Sequence, residues 1–159
     1  MIEGKSGVGR WGMAAVVLAL AMAAVFIAGP NLRAADGGQG RIRIVVAGLR
    51  SNSGRVVCTL FHSPDGFPRD DSRAQSISVP IVNRVGTCDF AASQHGHYAA
   101  VVYHDENGDG KFNTNWMGLP LEGYGFSNNA SISWRPPYFD EASFEFDGGT
   151  QQQVIHIRY

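Results

Sequence analysis

A chain of 159 residues with 13 basic and 14 acidic side chains and a net charge of −1 is long enough for one domain with a real core. It lacks the positive charge that nucleic-acid binding requires, so a nucleic-acid partner is excluded. Its two cysteines, without Cys-x-x-Cys spacing, exclude a four-thiolate zinc site.

The N-terminal part is not domain-like. Lys5 and Arg10 precede an almost wholly apolar run, Trp11 to Gly29. Small residues come next around Ala34 and Ala35, then a Gly-rich stretch from Gly37 to Gly40. Basic start, apolar core and small residues predict a secretory signal peptide over 1–35, cut near Ala34 or Ala35. The alternative is an uncleaved inner-membrane anchor over 11–29, because the run approaches the ~20 residues that span a bilayer. The predicted location is periplasmic or secreted, with a membrane contact only if this segment is retained. The domain then covers 36–159. Removing Lys5, Arg10, Arg33 and Glu3 from the 13 basic and 14 acidic residues leaves 10 and 13, a net of −3.

From there the chain reads as strands. Arg41–Ala47 alternates before Gly48, and its arginines fit a solvated face. Val56–Phe61 is apolar and β-branched. His62–Arg73 is charged and turn-rich, so it is predicted to be an exposed loop. Ile77–Val82 contains Pro80, which points to an edge or a bulge. Val85–Phe90 and Tyr98–Tyr103 are further strands, the second the most buried. A short helical turn is expected at Phe139–Ala142, a strand at Ala142–Phe146 and a final strand at Val154–Tyr159. About seven short strands with Gly and Pro between them predict an all-β antiparallel sandwich.

Cys58 and Cys88 fall in two of these strands. Outside the cytosol such a pair is expected to close a disulfide, which constrains the unfolded chain by on the order of 3 kcal/mol; the alternative is two buried free thiols.

The segment with most chemistry runs from His104 to Asn129. Asp105, Asn107 and Asp109 alternate, with Gly110 directly after them. Side-chain oxygens at this spacing in a tight loop suit a hard cation such as calcium. On the EF-hand template Asp105, Asn107, Asp109 and Gly110 occupy positions one, three, five and six, Lys111 offers its backbone carbonyl at seven, and Asn113 falls at nine. Position twelve is Trp116 where a bidentate Glu belongs, so the loop is no EF-hand, and Glu122 is the residue placed to close the shell. The plain alternative is a surface turn, since Asn-Gly and Asp-Gly pairs are common turn formers. The predicted metal set is Asp105, Asn107, Asp109, Lys111, Asn113 and Glu122, with calcium as the cofactor.

Gly123-Tyr124-Gly125-Phe126-Ser127-Asn128-Asn129 interleaves glycine with aromatic rings and ends in amides. Rings with amides suit a carbohydrate or peptide groove, so Tyr124, Phe126, Asn128 and Asn129 are candidate ligand contacts. Against this stands a loop that caps the sandwich, its glycines taking positive φ. Gly125-Phe-Ser127-Asn is not a Gly-x-Ser-x-Gly nucleophile elbow, and no catalytic residue is assigned. A small envelope hydrolase using the acidic loop 105–122 is the runner-up function, and a membrane-anchored structural module the third.

Several uncommon pieces occur in order: Gly96-x-Tyr98-Ala99, His104 to Lys111, Gly118-x-Pro120-x-Glu122-Gly123-Tyr124-Gly125-Phe126-Ser127-Asn128, and Pro136 to Ala142. Together they resemble an exported bacterial family catalogued as domain of unknown function 2141, over nearly all of the domain. The resemblance implies an exported sandwich of transthyretin-like or immunoglobulin-like type and brings no established activity. The Asp105–Asn113 loop with Gly118-x-Pro120 also resembles the calcium loops of bacterial surface-protein B-type repeat domains, whose pattern often has Asp where this chain has Asn113. The reading is an exported, non-catalytic sandwich that binds an unknown protein or carbohydrate.

Overall fold

A computed structural model describes residues 40–131 and 134–159, so the segment expected to be a signal peptide lies outside the described residues. Eight strands are described: β1 Gly40–Ala47, β2 Arg55–Phe61, β3 Gln75–Pro80, β4 Gly86–Ala92, β5 Gly96–Asp105, β6 Tyr124–Phe126, β7 Phe144–Phe146 and β8 Thr150–His156. A four-residue helix, α1, covers Phe139–Ala142 as the sequence predicts. One sheet has the order β4-β1-β8. The other runs β3-β2-β5-β6, with β7 pairing the start of β5. The expected all-β sandwich is present, with β6 as the strand that sequence reading missed. One pairing departs from the antiparallel rule: β1 and β8 run parallel.

The first sheet buries one face. Ile42, Ile44 and Val46 of β1, with Cys88 and Phe90 of β4 and Ile155 of β8, point inward. The outward residues are mixed, Val45, Ala91 and Val154 among polar ones, and Arg43 meets Asp89 directly across the β1–β4 pair at 2.8 Å. The early arginines thus do include a solvated strand face.

The second sheet differs. All residues of β2 after Arg55 are buried. Val56, Cys58 and Leu60 face the other sheet, in register with His104, Val102 and Ala100 of β5. Cys58 is bonded to Cys88, so the disulfide spans the two sheets through the core. Val57, Thr59 and Phe61 face the opposite way, beside Tyr103, Val101 and Ala99. That outer face is covered by irregular chain. Phe67 sits edge-on to Phe61, Phe126 and Phe139 at 5.2, 6.2 and 5.8 Å between ring centroids. The segment His62–Arg73 is therefore not simply an exposed loop. It folds Phe67 back onto the sheet because the face beneath is apolar.

Gly123 and Gly125 correct a second expectation. Neither has positive φ. They are glycines because β6 passes close to the last strand. A Cβ on Gly125 would lie 2.7 Å from Ile155 Cγ2 and 3.1 Å from the His156 carbonyl, and one on Gly123 would meet the rings and methyls of Tyr159 and Ile157. Gly125→Ala should accordingly cost about 1–3 kcal/mol by overpacking, since a backbone carbonyl bounds the space. Urea unfolding of the purified protein with its disulfide intact measures this. A neutral result would show that β6 can move away.

Candidate functional site

β5 ends at Asp105, and the carboxylate of that residue organises the loop from Glu106 to Lys111. Asp105 is 2% exposed. Its Oδ1 accepts hydrogen bonds from the backbone N–H groups of Gly108 and Asp109 at 2.8 and 3.1 Å, and Oδ2 from Gly110 at 2.9 Å. Gly108 and Gly110 take φ of 72° and 75°, which turns these amides inward. Asp109 repeats the device one step outward: Oδ1 accepts from Lys111 N–H at 2.9 Å. Its Oδ2 accepts from the side-chain amides of Asn107 and Asn113, each at 3.1 Å. These bonds, that from Asn113 foremost, hold the Asp109 carboxyl below its usual range.

Glu122 closes the loop from the far side. The chain returns to it through a small hairpin, in which Thr114 bridges Pro120 and Asn115 Oδ1 accepts from Met117 and Leu119 N–H, both at 2.9 Å. Glu122 is 5% exposed, and its Oε2 accepts from Asn113 N–H at 3.0 Å. Its Oε1 is buried without a partner, the one such side-chain atom among the described residues. Glu122 lines an open depression together with Glu106, Asn107, Asn113, Thr114 and Leu121.

Beside this loop Tyr103 reports the local field. Burial, then the carboxylates of Asp105, Glu122, Asp109 and Asp71, push its phenol up to about 12. Three of those acids belong to the predicted metal set. Among the described residues no three His, Cys, Asp or Glu side chains converge as a metal cluster. A transition-metal set is therefore lacking there, but a calcium shell also draws on amide and carbonyl oxygens. Glu122, whose Oε1 is orphaned, lines one depression with Asn107 and Asn113, and this set of oxygen-bearing side chains fits such an ion.

Glu106 does not join this group. Arg50 holds it at 2.9 and 3.0 Å through Nε, Ser51 adds a bond at 3.1 Å, and its carboxyl stays below the ordinary range. His104, fully buried, anchors the chain end. Its Nε2 donates to the Ser53 carbonyl at 2.8 Å, so Nδ1 accepts the Tyr159 hydroxyl at 2.7 Å. Arg50 N–H in turn donates to that hydroxyl oxygen at 3.0 Å.

On the outer face of the second sheet lies a groove of about 1030 Å³. Tyr124, Phe126, Phe112 and Trp134 line it with Thr59, Arg69 and Lys111. Trp134 is fully exposed. One wall is the acidic loop itself, through Gly110, Lys111 and Phe112, and the hairpin after it, through Gly118, Leu119 and Pro120. Residues 44–154 match the family described as "Uncharacterized protein conserved in bacteria (DUF2141)". The chain belongs to the DUF2141 family. The match runs from within β1 to within β8 and includes the loop, Glu122 and the groove. No curated protein and no solved structure matches the chain significantly.

In this DUF2141 domain the predicted residues separate into two groups. Asp105, Asn107, Asp109, Asn113 and Glu122 come together through direct hydrogen bonds or a shared depression. Lys111 joins by its N–H, and its side chain is exposed toward the groove. Trp116, at the EF-hand closing position, is 91% exposed at the hairpin. Tyr124 and Phe126 both border the groove, Tyr124 half-buried and Phe126 buried beneath it. Asn128 and Asn129 do not, and this corrects the sequence reading. Asn128 donates to the Ser143 carbonyl at 2.6 Å, while Asn129 Oδ1 accepts from His156 N–H at 2.8 Å. Both have positive φ, so these amides lock a turn rather than present themselves to a ligand. Ser127 is likewise structural: it is fully buried, and its Oγ accepts from Ala100 N–H at 2.8 Å. Arg69, Phe112 and Trp134 are groove residues that sequence reading missed, because they lie far apart in the chain.

Asp105→Ala removes the acceptor of three N–H groups and should destabilise the fold by on the order of 2–4 kcal/mol, with or without a chelator present. Denaturant unfolding in EDTA checks it. A loss seen only when calcium is supplied would mean that the loop is not built around this carboxylate. Spectrophotometric titration should find one of the five tyrosines ionising only near pH 12, and Tyr103→Phe should remove that step. The folded pKa is raised, so the unfolded chain loses this proton first and stability falls as pH climbs from 10 toward about 12.

Proposed function

We propose that this protein is an exported, non-catalytic β-sandwich module that binds an extended carbohydrate in the groove on its outer face, beside a calcium-stabilised loop. The observation that carries the reading is the groove lining. Four at least partly exposed rings, Tyr103, Phe112, Tyr124 and Trp134, are interleaved with Thr59, Arg69, Asp71 and Thr114, while Phe61 and Phe126 are buried in its floor. Ring faces stack on the apolar faces of sugar rings, and polar groups between them take up hydroxyls. The groove is concave and open, which suits a polymer rather than an enclosed metabolite.

Export is supported by the basic, apolar and small-residue order of the N-terminus and by the Cys58–Cys88 bond, which belongs to an oxidising compartment. A non-catalytic role is supported by how three of the four carboxylates in 105–122 are engaged. Asp105 is held by three N–H groups and Glu106 by Arg50, and both Asp109 and Glu106 sit below the ordinary range. A hydrolase using the acidic loop needs a carboxyl raised to act as an acid.

Protein recovered from the envelope of an expressing bacterium should begin near Ala35 or Asp36 by mass spectrometry. In affinity electrophoresis through gels containing soluble polysaccharide it should be retarded. Trp134→Ala, alone or combined with Tyr124→Phe, should lose the retardation while keeping the wild-type melting temperature. Wild-type mobility unchanged in every polysaccharide, with capture of a protein partner through the same rings, would replace the carbohydrate by a polypeptide.

A further inference from the structure

A buried carboxylate oxygen without a partner is costly, because it has lost its hydration and gained nothing in return. Glu122 Oε1 is such an atom, on a residue 5% exposed. Its sister oxygen is fixed by Asn113 N–H at 3.0 Å, so the carboxylate cannot swing out to solvent without giving up that bond. The side chains around it are rich in oxygen. Asn107 and Asn113 line the same depression, and both touch Asp109 Oδ2. Asn113 thus links the two carboxylates, its side-chain amide donating to Asp109 Oδ2 and its backbone N–H to Glu122 Oε2. Each amide can present its oxygen instead of its nitrogen by a half-turn of the side chain.

We propose that Glu122 Oε1 is the closing ligand of a calcium ion shared with Asp109 and the side-chain oxygens of Asn107 and Asn113, and that the ion clamps the 105–113 loop to the base of the 113–122 hairpin. This deepens the cation reading above and rests on it. Asp105 takes a supporting role: its oxygens order the loop backbone through N–H groups in the absence of any ion. Two carboxylates and two amides suit calcium, which accepts irregular sets of oxygen ligands, over magnesium, which demands near-octahedral geometry and gives up its waters reluctantly. The clamp has a structural consequence. Leu119 and Pro120 of the hairpin, with Gly110, Lys111 and Phe112 of the loop, form one wall of the groove. Binding the ion therefore sets the position of that wall.

The test is a calcium titration of the full-length protein followed by melting temperature, by terbium luminescence sensitised by neighbouring aromatic rings, and by amide hydrogen exchange over residues 113–121. Wild type, Glu122→Gln and Asp109→Asn are compared. The expected result is a calcium-dependent rise in melting temperature in wild type, displacement of terbium by calcium, and slowed exchange over 113–121. Glu122→Gln should bind calcium at least tenfold more weakly, with an unchanged or higher melting temperature in EDTA, since it removes an unpartnered charge. Magnesium at equal concentration should displace terbium poorly. Should Glu122→Gln fail to fold, Glu122→Asp keeps the charge on a shorter arm and should show the same weakening. Equal calcium affinity in wild type and Glu122→Gln, with loss in Asp109→Asn, would overturn the closing role while leaving a calcium loop. No effect of calcium on wild type up to about 10 mM, ten times the weak end of extracellular sites, would overturn both.

Discussion

The architecture depends on β2 and β5 being covered on both faces. An antiparallel sheet can leave one face to water, and the β4-β1-β8 sheet does so, with Arg43 and Asp89 paired on its outside. The second sheet has apolar residues on both sides, so Phe61, Ala99, Val101 and Phe126 require a cover on the outer face as well. No third sheet or long helix supplies it among the described residues. The cover is irregular chain: Phe67 from the β2–β3 connection and Phe139 with Ala142 from α1. Such a cover is incomplete, and the aromatic groove is the part of the outer face it leaves open. The inner face has no such latitude, because the Cys58–Cys88 bond and the close approach of Gly125 to Ile155 hold the two sheets together.

The acidic loop resolves a different problem, that of turning the chain sharply after a buried strand end. Asp105 is carried inward by β5, where a bare carboxylate would be expensive, and the backbone wraps round to supply three donors. Glycine at 108 and 110 permits the wrap. The same fold then links Asp109 and Glu122 through Asn113 and leaves one oxygen of Glu122 unmatched. Tyr103, at the seam between loop and groove, feels the resulting negative field. Loop and groove share Gly110, Lys111 and Phe112, so the loop is at the same time a wall of the groove.

Much of this was legible in the chain. The period-two alternation of Ile42, Ile44 and Val46 names a one-faced strand, and the apolar run Val56 to Phe61 names a strand, but that this strand and not Tyr98–Tyr103 is the more completely buried emerged only from the fold. Alternating oxygens at Asp105, Asn107 and Asp109 with Gly110 name a tight oxygen-lined loop, and Glu122 stood out as its partner because Trp116 could not close it. Other features were silent. Three-residue β6 is too short to show a period and pairs only because β5 extends past it. Phe67 sits in a charged, turn-rich stretch, whose composition masks one inward ring. Asn128 and Asn129 have the chemistry of ligand contacts, but their turn directs that chemistry onto the backbone.

By itself, then, the sequence determined those properties that come from local chemistry: strand identity from side-chain period, the loop from Asp, Asn and Gly spacing, and a cysteine pair suited to oxidation. Only the tertiary structure decided which surfaces meet. The parallel run of β8 against β1, the use of Gly123 and Gly125 for space rather than for positive φ, and the joining of Arg69, Phe112 and Trp134 in one groove all depend on contacts between distant segments. So does the isolation of Glu122 Oε1, since whether a buried oxygen has a partner is settled by what packs around it and not by its neighbours in the chain.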